Sequence, residues 1–258
     1  MTHNFYATFH DLKDKSVYIT GGGSGIGMDL TEGFLEQGCR VAFVQRSDAT
    51  EFVRAMEDKH GNKPLFIKCD ITDTEAYQRS MDQAAEAHGD ITVLVNNAAN
   101  DMRHGIDGFS RADWDMMIAV NLTPHFFSAQ HVAPGMRKAG GGSIINYSSI
   151  SYMMGNGGYV SYTAAKAGIT GLTRGLARDL GKDQIRVNAV MPGWVLTQKQ
   201  RDLWAKPEAL AAHMKRQALP DYMVGRDMVG GTLFLASDTS RMMTGQALVI
   251  DGGVVVSG

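Results

Sequence analysis

Short runs of β-branched and aromatic residues alternate along the chain with longer stretches in which apolar positions return every three to four residues. The runs SVYIT at 16–20, RVAFVQ at 40–45, PLFIKC at 64–69, ITVLV at 91–95, SIINY at 143–147, IRVNAVM at 185–191 and ALVID at 247–251 predict seven strands. Between them the spacing predicts helices over 25–37, 48–59, 73–88, 110–138, 157–180, 199–216 and 225–236. Strand followed by helix, repeated, calls for parallel pairing through right-handed crossovers and for a sheet covered on both faces. The expected fold is therefore a single doubly wound, Rossmann-type α/β domain over 1–258, with a seven-stranded parallel sheet and helices on both faces. No linker-like composition shift and no repeat divides it. The stretch 193–220 breaks the alternation with Trp194, Trp204, Pro207 and Pro220. It follows the carboxyl end of a strand, where open α/β sheets bind ligands, and reads as a substrate lid.

Composition narrows the function. With 258 residues, 44% hydrophobic and 20% charged, the chain can bury a full core, which excludes disorder, collagen and small disulfide scaffolds. A net charge of -2 gives no electrostatic footprint for nucleic acid or anionic lipid, so a small-molecule partner is expected. No apolar run approaches the roughly 18 residues of a membrane span. The opening residues show no signal-peptide core, and a cytoplasmic location is expected. Cys39 and Cys69 sit at predicted strand edges and read as buried free thiols rather than a bridge. The eight histidines show no HExxH or other metal-ligand spacing, so no metal is expected.

Directly after the first strand, Thr20-Gly21-Gly22-Gly23-Ser24-Gly25-Ile26-Gly27 leads into a helix. Residues without a Cβ permit a tight turn, and a helix N-terminus offers free N–H groups and the positive end of a dipole to a pyrophosphate. Gly21, Ser24, Gly25, Ile26 and Gly27 are thus candidate dinucleotide ligands, against the alternative of a merely flexible loop. The spacing is not GxGxxG, but the position between strand and helix supplies the confirming context. Cofactor choice turns on the end of the second strand, Val44-Gln45-Arg46-Ser47, where an acid would hold a ribose 2′-OH. None stands there. Arg46, with Ser47, can take a 2′-phosphate, so NADP is favoured over NAD. Asp48 keeps NAD open, although it reads better as an N-cap.

Tyr162-Thr163-Ala164-Ala165-Lys166 puts a phenol and an ammonium on one helix face. A cation beside a phenol favours the phenolate, and a tyrosine so tuned can take a hydroxyl proton while hydride leaves the same carbon. Alone, this pair could equally be a solvated helix pair. Together with Thr20–Gly27, Asn96-Asn97-Ala98-Ala99, Asn121, Ser149 thirteen residues before Tyr162, and Pro192-Gly193, it resembles the short-chain dehydrogenase/reductase family over essentially the whole chain. The resemblance implies Tyr162 as catalytic acid/base and Lys166 as its modulator and ribose ligand. It implies Ser149 as donor to the substrate oxygen, over Ser148 and Ser151, and Asn121 as holder of a relay water. It further implies adenine contacts by Asp70 and Ile71, a cleft-lining Asn97, and carboxamide contacts by Val195 and Thr197 beyond Pro192 and Gly193. Asn121 could also simply interrupt a helix beside Pro124. Ala99 in place of Gly and Tyr147 before the serines depart from the family pattern.

Within the family, the stretches 96–104 and 132–142 resemble those of bacterial sugar 1-dehydrogenases acting on aldoses. The first places Asn100, Asp101, Arg103 and His104 at the mouth of the cleft. A sugar offers many hydroxyls and little apolar surface, so its site needs convergent polar groups. Asn100, Asp101 and His104 are the candidate hydroxyl ligands, with a solvated loop as the alternative. Met153 and Met154 could line the pocket or pack in the core. The expected reaction is NAD(P)-dependent oxidation of the anomeric hydroxyl of a pentose, hexose or deoxyhexose to its lactone. Competing readings are another alcohol or carbonyl substrate (a polyol, a keto-deoxy sugar acid or a 3-oxoacyl thioester) and a catalytically inactive NADP-binding module. The resemblance also implies a homotetramer joined through the helices at 110–138 and 157–180.

Overall fold

The seven β-rich runs all form strands; the five inner ones are buried on both sides and the two edge strands are half-buried, which suits branched side chains standing off a pleated sheet. The computed structural model describes residues 7–256. Its strands are β1 (Ser16–Thr20), β2 (Arg40–Gln45), β3 (Leu65–Lys68), β4 (Val93–Asn96), β5 (Gly142–Tyr147), β6 (Ile185–Pro192) and β7 (Ala247–Ile250). They make one sheet in the order β3-β2-β1-β4-β5-β6-β7. Every pairing is parallel. The strand order reverses between β1 and β4, and the crevice at their carboxyl ends is where such sheets bind ligands.

The helices are α1 (Gly25–Glu36), α2 (Thr50–His60), α3 (Thr74–His88), α4 (Arg111–Asn121), α5 (Thr123–Lys138), α6 (Ser151–Met154), α7 (Val160–Leu180), α8 (Gln198–Leu203), α9 (Pro207–Met214) and α10 (Asp227–Ala236). Successive strand residues point to opposite faces. Ile19, Phe43, Val95 and Ile145 pack with Leu30, Phe34, Val229 and Leu233 of α1 and α10. Tyr18, Ala42, Leu94 and Ile144 pack with Tyr77, Met81, Met136 and Leu176 of α3, α5 and α7. Each large apolar side chain fully buried in these layers contributes about 1.5–3 kcal/mol.

Two predicted helices are broken. The segment 110–138 divides at Leu122, whose φ of -125° and ψ of -51° end α4 and begin α5. Pro124 explains the break: it lacks an N–H and its ring would meet the carbonyl four residues back, so it is best accommodated in a first turn, where it stands in α5. The segment 199–216 divides at Trp204–Lys206, with Pro207 opening α9. Asp48 is not itself the N-cap of α2; Ala49 holds that position, and the Asp48 carboxylate accepts from the N–H and hydroxyl of Thr50. Cys39 and Cys69 are buried and free.

A buried polar chain fixes the strand ends that carry the crevice. Asn96 and Asn146 are paired in register, and the Asn96 Nδ2 donates to Asn146 Oδ1 at 3.0 Å. Asn96 Oδ1 accepts from Tyr77 at 3.2 Å and from Ser128 at 3.0 Å, while Asn146 donates to Thr173 at 3.0 Å. Strands β4 and β5 are thereby tied to α3, α5 and α7. Replacing Asn96 by Leu would leave several of these groups unpaired at about 1–3 kcal/mol each. Asn96→Leu should lower unfolding stability by about 3 kcal/mol or more in urea titrations at unchanged slope, and a loss under about 1 kcal/mol would contradict the network.

Candidate active site

The turn between β1 and α1 is built for close approach of a ligand. Gly21 and Gly25 have φ of 70° and 55°, a region closed to most side chains. A Cβ on Gly27 would lie 1.9 Å from the Gly21 carbonyl oxygen, so Gly27 supports the turn from beneath. Ser24 is the N-cap of α1, but its hydroxyl takes none of the first-turn N–H groups, which leaves them for an anion. Thr20 Oγ1 accepts from the N–H groups of Asn97 and Ala98, both at 2.9 Å, and Asn97 Nδ2 donates to the Thr20 carbonyl at 3.0 Å. The turn is thus locked to the loop after β4.

A cavity of about 1030 Å³ runs from this turn across the strand ends. Gly21, Ser24, Gly25 and Ile26 line it, with Arg46, Ser47, Asp70 and Ile71 at one end. Asn97, Pro192, Gly193, Val195 and Thr197 also line it, as do Asn100, Asp101, Ser149, Tyr162 and Lys166. Gly27, Asn121 and His104 stand behind the wall. The extended shape, the glycine turn and the open helix N-terminus fit a dinucleotide. At the Arg46 end, Gln45 acts as a strut: its Oε1 accepts from Gly23 N–H at 3.1 Å, and its Nε2 donates to the Ser47 carbonyl and hydroxyl at 3.2 Å. Arg46 is exposed, with Nη1 3.9 Å from Asp70 Oδ2.

At the other end, α7 presents Tyr162 and, one turn on, Lys166. Lys166 is buried, and its Nζ donates to the Tyr147 carbonyl at 2.6 Å. Burial pulls the Lys166 pKa down to about 7, with the negative charge of Asp101 opposing. Its Nζ is 5.4 Å from the centroid of the Tyr162 ring. The expected lowering of the Tyr162 pKa by Lys166 is not what this arrangement produces. Burial pushes the Tyr162 hydroxyl above the usual tyrosine range, Asp101 adds to the rise, and a hydrogen bond with Ser149 and the charge of Arg103 act the other way.

The two adjacent serines differ in their partners. Ser148 is buried and its Oγ donates to the Lys166 carbonyl at 2.7 Å, whereas Ser149 lines the cavity and bonds to Tyr162. Met154 lines the cavity, while Met153 is partly exposed.

Three candidate residues have partners that the sequence did not reveal. The Asn121 side chain is taken up by protein groups: Nδ2 donates to the carbonyls of Asn100 and Met117, both at 3.0 Å, and Oδ1 accepts from Asn100 N–H at 2.8 Å. It pins the loop after β4 to the end of α4. His104 faces away from the cavity. Its Nδ1 donates to the Gly105 carbonyl at 2.8 Å, and its Nε2 accepts from Ser161 N–H at 3.3 Å and meets the Ser161 hydroxyl at 2.8 Å. Stacked on Phe109 at 3.6 Å, it caps α7. Both Asp101 oxygens are engaged by the lid, Oδ1 by Lys199 Nζ at 2.6 Å and Oδ2 by Gln200 Nε2 at 2.7 Å. Burial raises the pKa of Asp101, but these partners outweigh it and hold the carboxyl below its usual range.

Lys199 and Gln200, with Trp194 and Trp204, also line the cavity; the sequence marked this segment by its two tryptophans, Pro207 and Pro220 but did not single out Lys199 or Gln200. Away from the cleft, Glu32, Glu36 and His60 converge among the described residues. Lys59 and Arg226 share those carboxylates, which ion pairs therefore satisfy.

A family profile described as "Enoyl-(Acyl carrier protein) reductase" matches residues 21–255. The chain is 46% identical over 248 residues to the protein named "Probable galactose dehydrogenase GalD" from Rhizobium meliloti, covering 95% of this chain and 97% of that one. It is 44% identical over 250 residues to the D-xylose 1-dehydrogenase of Caulobacter vibrioides, covering 96% and 98%. The crystal structure of a blue fluorescent protein from a metagenomic library in complex with NADPH superposes with a TM-score of 0.87 at 32% identity, over 95% of this chain and 100% of that one. The chain belongs to the short-chain dehydrogenase/reductase family, whose members are NAD(P)-dependent oxidoreductases.

The depressed Lys166 pKa carries a stability signature. Folded Lys166 titrates near 7 and unfolded lysine near 10.5, so between these values the unfolded chain binds more protons and stability from this group rises with pH. In the cofactor-free protein, the stability of Lys166→Met relative to wild type should therefore fall between about pH 7 and about pH 9.5 in urea titrations. A difference that does not change with pH would contradict the buried ammonium.

Proposed function

We propose that the protein oxidises the anomeric hydroxyl of an aldose to its lactone, with NADP as the preferred oxidant. The observation that carries the reading is the convergence of Ser149, Tyr162 and Lys166 beside a wall of polar and aromatic groups, Asn100, Asp101, Trp194 and Trp204, in one cavity. Similarity to galactose and xylose dehydrogenases over nearly the full length supports it. A polar wall suits a polyhydroxylated ring, since each buried polar group finds a hydroxyl partner.

Bound NADP supplies a hydride acceptor. Ser149 orients the C1 hydroxyl through its own hydroxyl, and Tyr162 takes the C1–OH proton as hydride leaves C1. The two electrons depart with the hydride, and C1 becomes the carbonyl of a lactone. Lys166, tied to the Tyr147 carbonyl one helical turn from Tyr162, can hand a proton onward because burial has brought its pKa near neutrality. The lid excludes water from the site. Asn121 fixes the loop that carries Asn100 and Asp101.

The preference for NADP rests on Arg46, exposed just beyond β2 with no carboxylate in the strand's last residue; its one ion pair, with Asp70 at 3.9 Å, is weak and solvent-exposed and can yield to a 2′-phosphate. Among the described residues no helix is long and apolar enough to cross a membrane, and a cytoplasmic site of action is proposed. Phe126 exposed on α5, beside Leu176 and Leu180 of α7, supports the homotetramer proposed through these helices.

Initial rates with both cofactors against a panel of pentoses, hexoses and deoxyhexoses, with polyols and a 3-oxoacyl ester as controls, should show an aldose as best substrate. Turnover confined to the controls would overturn the reading. Tyr162→Phe should lower kcat by about 10²–10⁴-fold while leaving cofactor affinity within a factor of about two. Loss of both would make Tyr162 structural. Arg46→Ala should shift the ratio of kcat/KM toward NAD by about tenfold, the scale of one solvent-screened charge-assisted hydrogen bond. An unchanged ratio would remove Arg46 from the site.

A further inference from the structure

Arg103 joins the lid to the catalytic helix. It lies on the loop after β4, two residues beyond Asp101, and its guanidinium sits 4.0 Å from the ring centroid of Tyr159 and 5.2 Å from that of Trp204. Tyr159 is the N-cap of α7, and Trp204 is the C-cap of α8 in the lid. Arg103, Tyr159, Trp204 and Tyr162 all line the same cavity. Among the described residues no carboxylate lies within ion-pairing distance of Arg103, so its charge is held by aromatic faces alone. Asp101 is the opposite case, since Lys199 and Gln200 of the lid occupy its carboxylate.

We propose that Arg103 is a positioning residue that makes the lid part of the proton-accepting machinery: Tyr159 and Trp204 grip its guanidinium so that, with the lid down, an uncompensated positive charge faces Tyr162. This rests on the reading of Tyr162 as proton acceptor. The groups facing Tyr162 are Asp101 and Arg103 from the loop after β4, Ser149 from the segment after β5, and Tyr159 and Lys166 from the helix itself. Asp101 disfavours the phenolate, while Arg103 and the Ser149 hydrogen bond favour it. The lid acts on both charged groups in one direction. Lys199 neutralises the carboxylate that opposes ionisation, and Trp204 seats the cation that assists it. Aromatic faces exclude water without cancelling the charge, so the cation acts at lower effective dielectric than an exposed arginine would.

The sign is fixed by the chemistry. A base for alcohol oxidation works deprotonated, so kcat/KM rises with pH through its apparent pKa. Arg103→Met should move that rising limb to higher pH by about half a unit to one unit, a part of the full effect of a nearby opposite charge. Arg103→Lys should restore most of the wild-type position. Lys199→Met, which frees the Asp101 charge, should move the limb the same way, and Asp101→Asn should move it to lower pH. Cofactor affinity measured by nicotinamide fluorescence should stay near wild type in every variant, which reports a folded crevice. If Arg103→Met is too slow to profile, Trp204→Leu keeps the charge, removes one ring and should give a smaller alkaline shift. A limb within about 0.2 units of wild type in the variant that can be profiled would overturn the proposal, as would Arg103→Lys behaving like Arg103→Met. The limb is read on whichever alcohol or sugar the wild type oxidises. Absence of aldose turnover therefore defeats the sugar reading alone, whereas a limb that survives Tyr162→Phe defeats the choice of base.

Discussion

The bond from the buried Lys166 ammonium to the Tyr147 carbonyl is the contact on which the arrangement of the cleft depends. It joins the carboxyl end of β5 to α7, and Ser148 closes the same joint from the other side by donating to the Lys166 carbonyl. Two reciprocal bonds between adjacent strand residues and one helical residue fix the rotation of α7 about its axis. Tyr162, one helical turn earlier, is thereby held over the cleft beside Ser149. A buried ammonium is costly, and a single carbonyl offsets only part of that cost. The large apolar layers on both sides of the sheet carry the remainder.

The rigid and the adjustable parts of the site are drawn from different elements. The inner strands are buried, α1 and α7 each bury one face against them, and the Asn96–Asn146 chain leaves few unpaired groups at the strand ends. The lid helices α8 and α9 bury no residue completely. Their hold on the body comes through polar and aromatic contacts at the substrate end, Asp101 with Lys199 and Gln200, and Arg103 with Trp204. Elements with little apolar burial sit at the low-stability end of a protein's local openings, which suits the lid role proposed for this segment. Asp101 and Arg103, which make these contacts, are also charges that act on Tyr162, so the proposed closure and the proposed chemistry share residues.

The sheet was legible because parallel strands buried on both faces leave unbroken β-branched runs, and the glycine turn because strand and helix flank it closely. Helix ends were harder: periodicity ran straight through Leu122 and Trp204, and only Pro124 and Pro207 carried the breaks. Tyr162, Lys166 and Ser149 could be singled out through the family resemblance, because they share one helix and the end of the strand before it, so their spacing survives in the sequence. Asp101, His104 and Asn121 could not be assigned roles that way. Their partners, Lys199 and Gln200, Ser161, and the Asn100 backbone, are brought to them by tertiary folding. Arg103 was hidden for the same reason, since nothing local marks Trp204 as its ring. The direction of the Tyr162 shift was also beyond a pattern argument, because burial, which spacing does not reveal, outweighs the nearby cation.

A carbon-specific label tests the central claim most directly, namely that a tyrosine held over this cleft takes a proton while hydride leaves the anomeric carbon. An aldose deuterated only at C1 is oxidised by the wild-type enzyme, and the reduced nicotinamide and the sugar product are analysed by mass spectrometry and NMR. The account requires deuterium at C4 of the reduced nicotinamide, a lactone as first product and a slower kcat/KM for the labelled sugar. Deuterium retained on the sugar, with oxidation at another carbon or none, would contradict it.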